Sequence, residues 1–233
     1  ASALRALWAE GGAPAIRPFV PEAVYPLYAE ADAAGASTDF AAAGRCELAL
    51  LRAQCGGEVY PVHRLDRVSA GVMVYARTAK AAAALSASAQ KGQWQKEYLA
   101  VLTAPPAEPA GVLEDLLYFD RARDKSFVCK RPRAGVKAAR LSYTLVATAV
   151  DGDAQRALVR VRLFTGRTHQ IRAQFSSRAL PLLGDGKYGG SDNRCKTALL
   201  SASLQFPHPE TGETMKFEIE PPNEFPWTLF EKV

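Results

Sequence analysis

None of the four cysteines, Cys46, Cys55, Cys129 and Cys195, stands in a C-x-x-C pair, so the common zinc-binding and dithiol patterns are excluded. Four thiols in 233 residues are also too few for a disulfide scaffold; they read as reduced cysteines of a cytoplasmic protein. Three histidines in all leave little for a histidine-rich metal centre. No apolar run reaches the roughly 18–20 residues that a membrane span needs. No charged-then-apolar leader opens the chain, and the expectation is a cytoplasmic protein without membrane contact. Neither a P-loop nor a glycine-rich dinucleotide fingerprint occurs. The bulk composition is ordinary, with 48% apolar and 23% charged residues, a globular balance that rules out general disorder.

The net charge of +5 is modest, but its distribution is uneven. Residues 1–62 carry 4 basic and 7 acidic groups, and residues 206–233 carry 2 and 6. The middle, 63–205, therefore holds 23 basic and 11 acidic groups, a net of +12. Such a block suits a polyanion, with nucleic acid the first candidate; the competing reading is a solvated face with scattered charges.

The first 40 residues are rich in Ala, Pro and Gly and read as an extended segment packed on the domain. Residues 41–54 have helical spacing, closed by Gly56 and Gly57. Gly71–Arg77 reads as a buried strand, and Thr78 caps the Ala-rich helix that follows it. Trp94–Leu102 alternates as a strand; Asp115–Asp120, Ser126–Lys130, Ala139–Ala149 and Arg156–Phe164 follow as further strands, the last two joined by an Asp-Gly-Asp turn. Thr168–Arg178 reads as helix, and Ala198–Phe206 and Met215–Ile219 as strands. Many strands with a few inserted helices predict an α+β domain around a mostly antiparallel sheet. Without a linker or an internal repeat, residues 41–233 read as one domain.

Four stretches carry chemistry. In Val62-His63-Arg64-Leu65-Asp66-Arg67, an aspartate stands between two arginines just before a buried strand. The arginines favour the ionised carboxylate, which can act as nucleophile, base or metal ligand; a surface ion-pair cluster is the alternative. In Thr165-Gly166-Arg167-Thr168-His169-Gln170-Ile171-Arg172, a glycine turn opens a helix. Phosphate binding, orientation of a catalytic carboxylate and mere capping compete there. On the strand Lys96-Glu97-Tyr98-Leu99, Tyr98 offers a face on which a base can stack, against plain core packing. Residues 120–140 hold 8 basic and 2 acidic groups, including Arg131 and Arg133, and form a basic arm suited to a phosphate backbone; a solvated hairpin is the alternative.

The order HRLD-x-x-[ST]-x-G, K-x-Y-L-A, TGRTHQIR and LLGDGKYGG resembles the RluA-like family of RNA pseudouridine synthases over roughly residues 58–225. The resemblance implies an α+β catalytic domain with a mixed, mostly antiparallel, bent sheet flanked by helices and an RNA-binding cleft. Asp66 matches the family's essential aspartate, Tyr98 the tyrosine that packs on the target base, and Arg172 the basic residue that pairs with the aspartate. Arg64 matches an arginine that enters the space left by the extruded uridine, and Ile171 an apolar residue lining the pocket. Arg67, Arg167 and His169 join Arg131 and Arg133 as expected RNA contacts. Substrate and product of pseudouridine formation are isomers, so the resemblance implies no cofactor and no metal. RNA, rRNA or tRNA, is the implied partner, and a monomer is expected.

Three departures bear on substrate choice or on the first motif. Ser69-Ala70-Gly71 stands where the family usually has Thr-Ser-Gly; Glu30–Gly35 lacks the Lys-Pro common there; and no basic module of the S4 type precedes the first motif. Two other classes compete. One is a synthase fold that holds RNA without modifying it, against which the Asp66, Tyr98 and Arg172 set argues. The other is a carboxylate hydrolase, which needs a second carboxylate; none is evident beside Asp66.

Overall fold

The computed structural model describes residues 24–29, 51–53 and 55–230. The Glu30–Gly35 segment, most of the helix expected over 41–54 and all but six of the first 40 residues lie outside them. The chain divides into two compact units, Ala1–Gln95 with Ser201–Glu220, and Lys96–Leu200 with Pro221–Val233. Of the three crossings, those after Gln95 and after Leu200 fall inside strands and the third falls between Glu220 and Pro221, so no linker marks the division. The class is α+β, as the strand-rich sequence predicted.

In the first unit, β1 (Val24–Ala29) and β2 (Tyr60–Pro61) each pair antiparallel with β3 (Ala70–Ala76). The strand at 24–29 carries a proline and no clean alternation, which is why it reads only as extended chain. Helix α1 (Ala79–Gln90) starts where Thr78 Oγ1 accepts the Ala81 N–H at 3.1 Å, an N-cap that satisfies an otherwise orphaned donor. One face of β3 buries Val72, Val74 and Ala76 against Ala81 and Leu85 of α1, Trp94, and Leu204 and Phe206; the other buries Met73 and Tyr75 against Leu51 and Val59. With both faces covered, β3 reads as a continuous apolar run rather than an alternating one. The strand after Phe206 returns as β10 (Thr214–Glu218), antiparallel to β9 (Leu199–Pro207).

Gly71 sits at φ +129°, and a Cβ there would fall on the backbone oxygen and nitrogen of Ser201. The glycine is therefore a steric requirement of two backbones in close approach. Gly71→Ala is expected to lower unfolding free energy by at least about 1–3 kcal/mol, the range for overpacking, read from urea midpoints at constant m. An unchanged midpoint would show that β9 yields freely.

The second unit is built on the antiparallel order β4 (Gln95–Leu102), β8 (Ala154–Leu163), β7 (Val136–Asp151), β5 (Ala110–Asp120) and β6 (Lys125–Cys129). β7 runs longer than the sequence signals, with a bulge between Leu145 and Ala147. The expected hairpin turn holds: Asp151 pairs with Ala154 across Gly152-Asp153, with Gly152 at φ +61°. Asp151 also accepts from Arg194 at 2.8 and 2.7 Å and from Arg156 at 3.0 Å. The Arg194 hydrogen bonds above all, and Arg156 after them, hold the Asp151 carboxyl down at about 2. This fastens the loop at 192–195 to the hairpin. No described helix is long and apolar enough to cross a membrane.

Candidate active site

In the first unit, Asp66 stands half-buried on the connection between β2 and β3, where its carbonyl accepts the Ser69 N–H at 2.8 Å. Arg64 and Arg67 are exposed on either side of it. His63 is not part of this outward display. Its Nε2 accepts the Val74 N–H at 3.0 Å, so that nitrogen carries no proton and the ring is held as a neutral acceptor. The ring meets Trp94 edge-on at 5.3 Å, and Trp94 Nε1 donates to Ser88 Oγ at 2.8 Å. His63 thus pins the Asp66 loop to β3 and to the apolar core.

In the second unit, register decides which face carries which residue, because directly opposed residues in an antiparallel pair point the same way. Tyr98 opposes Val161, which opposes Tyr143 on β7. Tyr143 packs edge-on against Phe175 of α2 (Gln170–Ser176) at 5.5 Å. Tyr98 and α2 therefore share one face of this sheet. Lys96 lies on that face two residues before Tyr98, and burial pushes its ammonium below the ordinary lysine value. Gln174 ties α2 to β5, donating to Leu113 O at 3.2 Å and to Asp115 Oδ2 at 2.7 Å.

Arg172 projects from α2 into a buried ion pair. Its Nε and Nη2 donate to Asp185 Oδ2 and Oδ1 at 2.6 and 2.8 Å, and the two side chains are 4% and 1% exposed. Such a bidentate pair fixes the guanidinium plane as well as its position. The Tyr188 ring lies 4.9 Å from the guanidinium carbon. Gly184, at φ +76° with a Cβ position occupied by the Lys196 carbonyl, lets the chain turn tightly enough to deliver Asp185. Asp185 is not legible as a functional residue in the sequence: LLGDGKYGG shows glycines but no partner for its aspartate.

The helix begins at Gln170, two residues later than its sequence suggests, and is only seven residues long. The N-cap residue His169 makes no side-chain cap hydrogen bond; what the structure shows is Gln170 bracing the turn that precedes the helix. Gln170 Oε1 accepts the Arg167 N–H at 3.0 Å and the Thr165 hydroxyl at 2.8 Å, while its Nε2 donates to Arg140 O at 3.1 Å. Arg167 is half-buried and donates from Nε to Ala138 O at 2.9 Å. Ile171 is buried, 4% exposed. His169 corrects an expectation. It is 4% exposed, held left-handed at φ +53°, with Nδ1 3.1 Å from the Tyr188 hydroxyl; a ring so enclosed is not a surface donor.

The basic arm comprises β6 and its flanking turns. Arg131 and Arg133 are exposed, and Arg133 stacks on Tyr118 with its guanidinium carbon 4.6 Å from the ring centroid. Tyr118 opposes Phe127 and Val136, on the face away from α2. At its other end the arm is fastened to the loop after Asp185. Lys187 Nζ donates to Asp124 O and Oδ2 at 2.7 and 2.6 Å, the bond that chiefly holds the Asp124 carboxyl below its ordinary value. Lys125 Nζ donates in return to Lys187 O at 2.5 Å.

The sequence model of the RNA pseudouridylate synthases matches residues 38–177, a stretch that contains Asp66, Tyr98 and Arg172. The chain is 31% identical over 177 residues to a tRNA pseudouridine synthase C of Haemophilus ducreyi, covering 69% of this chain and 72% of the other. It is 31% identical over 197 residues to an RNA pseudouridine synthase 2, chloroplastic, of Arabidopsis thaliana, covering 70% of this chain but 44% of the relative. The dual-specificity RNA pseudouridine synthase RluA of Yersinia pestis is 31% identical over 163 residues, covering 68% of this chain and 76% of its own. The chain thus spans under half of the Arabidopsis relative and about three quarters of the two bacterial ones. Among solved structures, the human RNA pseudouridylate synthase domain containing 1 superposes with a TM-score of 0.67 at 21% identity, over 77% of this chain and 75% of the other.

Proposed function

The chain belongs to the RNA pseudouridylate synthase family, and from this premise we propose that it isomerises a uridine in structured RNA, rRNA or tRNA, to pseudouridine. The observation that carries the reading is that one family match contains all three chemical residues, while the sheet register sets Tyr98 on the face that holds α2 and Arg172. Asp66 is the catalytic carboxylate, acting on a uridine drawn out of its stack. Extrusion costs a few kcal/mol, which contacts to the surrounding RNA must offset. Tyr98 supplies the ring against which the detached uracil turns. Arg172, its plane fixed by Asp185, is the cation that serves Asp66, the pairing that the family resemblance implies. Exposed Arg64 and Arg67 flank Asp66 to hold the RNA around the extruded nucleotide. The proposed setting is the cytoplasm, and the proposed active form is the monomer.

The test is pseudouridine mapping across total RNA from cells with and without this chain, followed by single-turnover assays on a transcript carrying any site that disappears. No site lost, together with no modification of rRNA or tRNA transcripts by the purified chain, overturns the reading. RNA binding retained under those conditions would identify a binding module.

The arm supplies affinity in this reading. Each basic side chain withdrawn from a phosphate lowers the slope of log affinity against log salt by roughly 0.7–0.9. Arg131→Ser with Arg133→Ser is therefore expected to weaken binding and flatten the slope by up to about two such steps, with the saturated rate changed far less. Unchanged affinity and slope would make the arm a solvated hairpin. A collapse of the saturated rate would place it in the active-site architecture.

A further inference from the structure

We propose that Tyr188 is a positioning residue that couples the basic arm to Arg172, an inference that rests on the synthase reading above. Tyr188 occupies the last motif of the sequence, which contributes no group to the chemistry. It is 5% exposed. Its hydroxyl accepts the Ser126 N–H at 2.7 Å, lies 3.2 Å from Ser126 O as a donor, and sits 3.1 Å from His169 Nδ1. Ser126 is the buried residue of β6, so one phenol oxygen holds the arm strand at its base. Ser126 adds a second tie, its Oγ donating to Thr168 O at 2.5 Å directly before α2.

The ring of the same side chain does different work. One cation, Arg172, lies 4.9 Å from its centroid, and another, Lys125 of the arm, lies 4.8 Å from it. Aromatic faces attract cations at these distances. The Tyr188 backbone is fixed as well, since its carbonyl accepts from Ser176 Oγ at 2.7 Å at the end of α2. Asp185 grips the edge of the Arg172 guanidinium three residues earlier on the same loop. The loop therefore holds Arg172 by edge and by face, and the residue supplying the face also anchors the strand proposed to grip RNA. A shift of the arm on RNA engagement reaches Arg172 through this side chain, alongside the backbone ties at Thr168 and Lys187.

The hydroxyl and the ring can be removed separately. Tyr188→Phe keeps the ring and loses the tether; Tyr188→Leu loses both. Amide exchange at Ser126, circular dichroism, and single-turnover kinetics on a transcript carrying the mapped uridine are measured for each. In Tyr188→Phe, exchange at Ser126 is expected to accelerate and KM to rise roughly five-fold, the worth of about one hydrogen bond. In Tyr188→Leu, kcat is expected to fall a further roughly ten-fold below the Phe variant, because Arg172 loses its facial support. Wild-type exchange and KM in Tyr188→Phe overturn the proposal, as does a Leu variant whose kcat matches the Phe variant. A lowered melting temperature with unchanged kcat and KM in the folded fraction also overturns it, since that is a purely structural role. Should the wild-type chain modify no RNA, the synthase reading falls on its own. The coupling then stands or falls on whether Tyr188→Phe changes both Ser126 exchange and the affinity for an unmodified transfer-RNA transcript.

Discussion

Asp66→Asn is expected to abolish pseudouridine formation, by roughly 10³-fold or more, while leaving folding and RNA affinity near their unmutated levels. The substitution removes a charge and almost no volume. The turn after Asp66 is closed by its backbone carbonyl, which accepts from Ser69, and the loop is pinned through His63 and Val74; asparagine keeps both ties. A carboxamide cannot serve as a carboxylate nucleophile or base, so the chemical step is lost selectively. Single-turnover assays at saturating RNA, with filter binding and circular dichroism on the same preparations, separate the possibilities. Activity near the unmutated level sinks the assignment of Asp66. Activity and affinity lost together would instead place Asp66 in RNA binding.

The contrast between Asp66 and Asp185 shows what a sequence displays and what it hides. Asp66 was conspicuous because its neighbours are arginines and a motif surrounds it. Asp185 lies among glycines, and the residue that gives it meaning is 13 positions away. Charge complementarity across such a gap is settled by the loop geometry around Gly184 and not by local composition. Tyr188 was hidden for a related reason: its partners Ser126 and His169 come from β6 and from the residue preceding α2, brought together only by tertiary packing. His169 misled in the opposite direction. Polar type and position after a glycine turn suggested a surface donor, whereas a left-handed backbone turns the ring inward between Phe119 and Tyr188. Strands were easier. Alternation and the Asp-Gly-Asp turn located β4, β7 and β8 to within a few residues, because half-buried antiparallel strands print their faces on the sequence. The strand at 24–29 prints no such alternation and reads in the sequence only as extended chain.

The second large effect is expected at the buried ion pair. Asp185→Ala leaves the Arg172 guanidinium, 4% exposed, without its bidentate partner, and removing one member of such a pair costs about 3–5 kcal/mol. That is a large fraction of the roughly 5–15 kcal/mol typical of a folded domain, so the urea midpoint should fall far more than for a surface change. Arg172→Met is expected to cost a similar amount by stranding Asp185. The double variant Arg172→Met with Asp185→Leu removes both charges and fills the space with apolar groups. It should be more stable than either single variant, because buried pairs replaced together are often neutral and contacting residues couple non-additively. Catalysis is expected to behave differently. If Arg172 supplies the charge that serves Asp66, the double variant recovers stability and stays inactive. A double variant that is both stable and active would reduce Arg172 to a structural member of the fold, and the cation that serves Asp66 would have to come from elsewhere in the site.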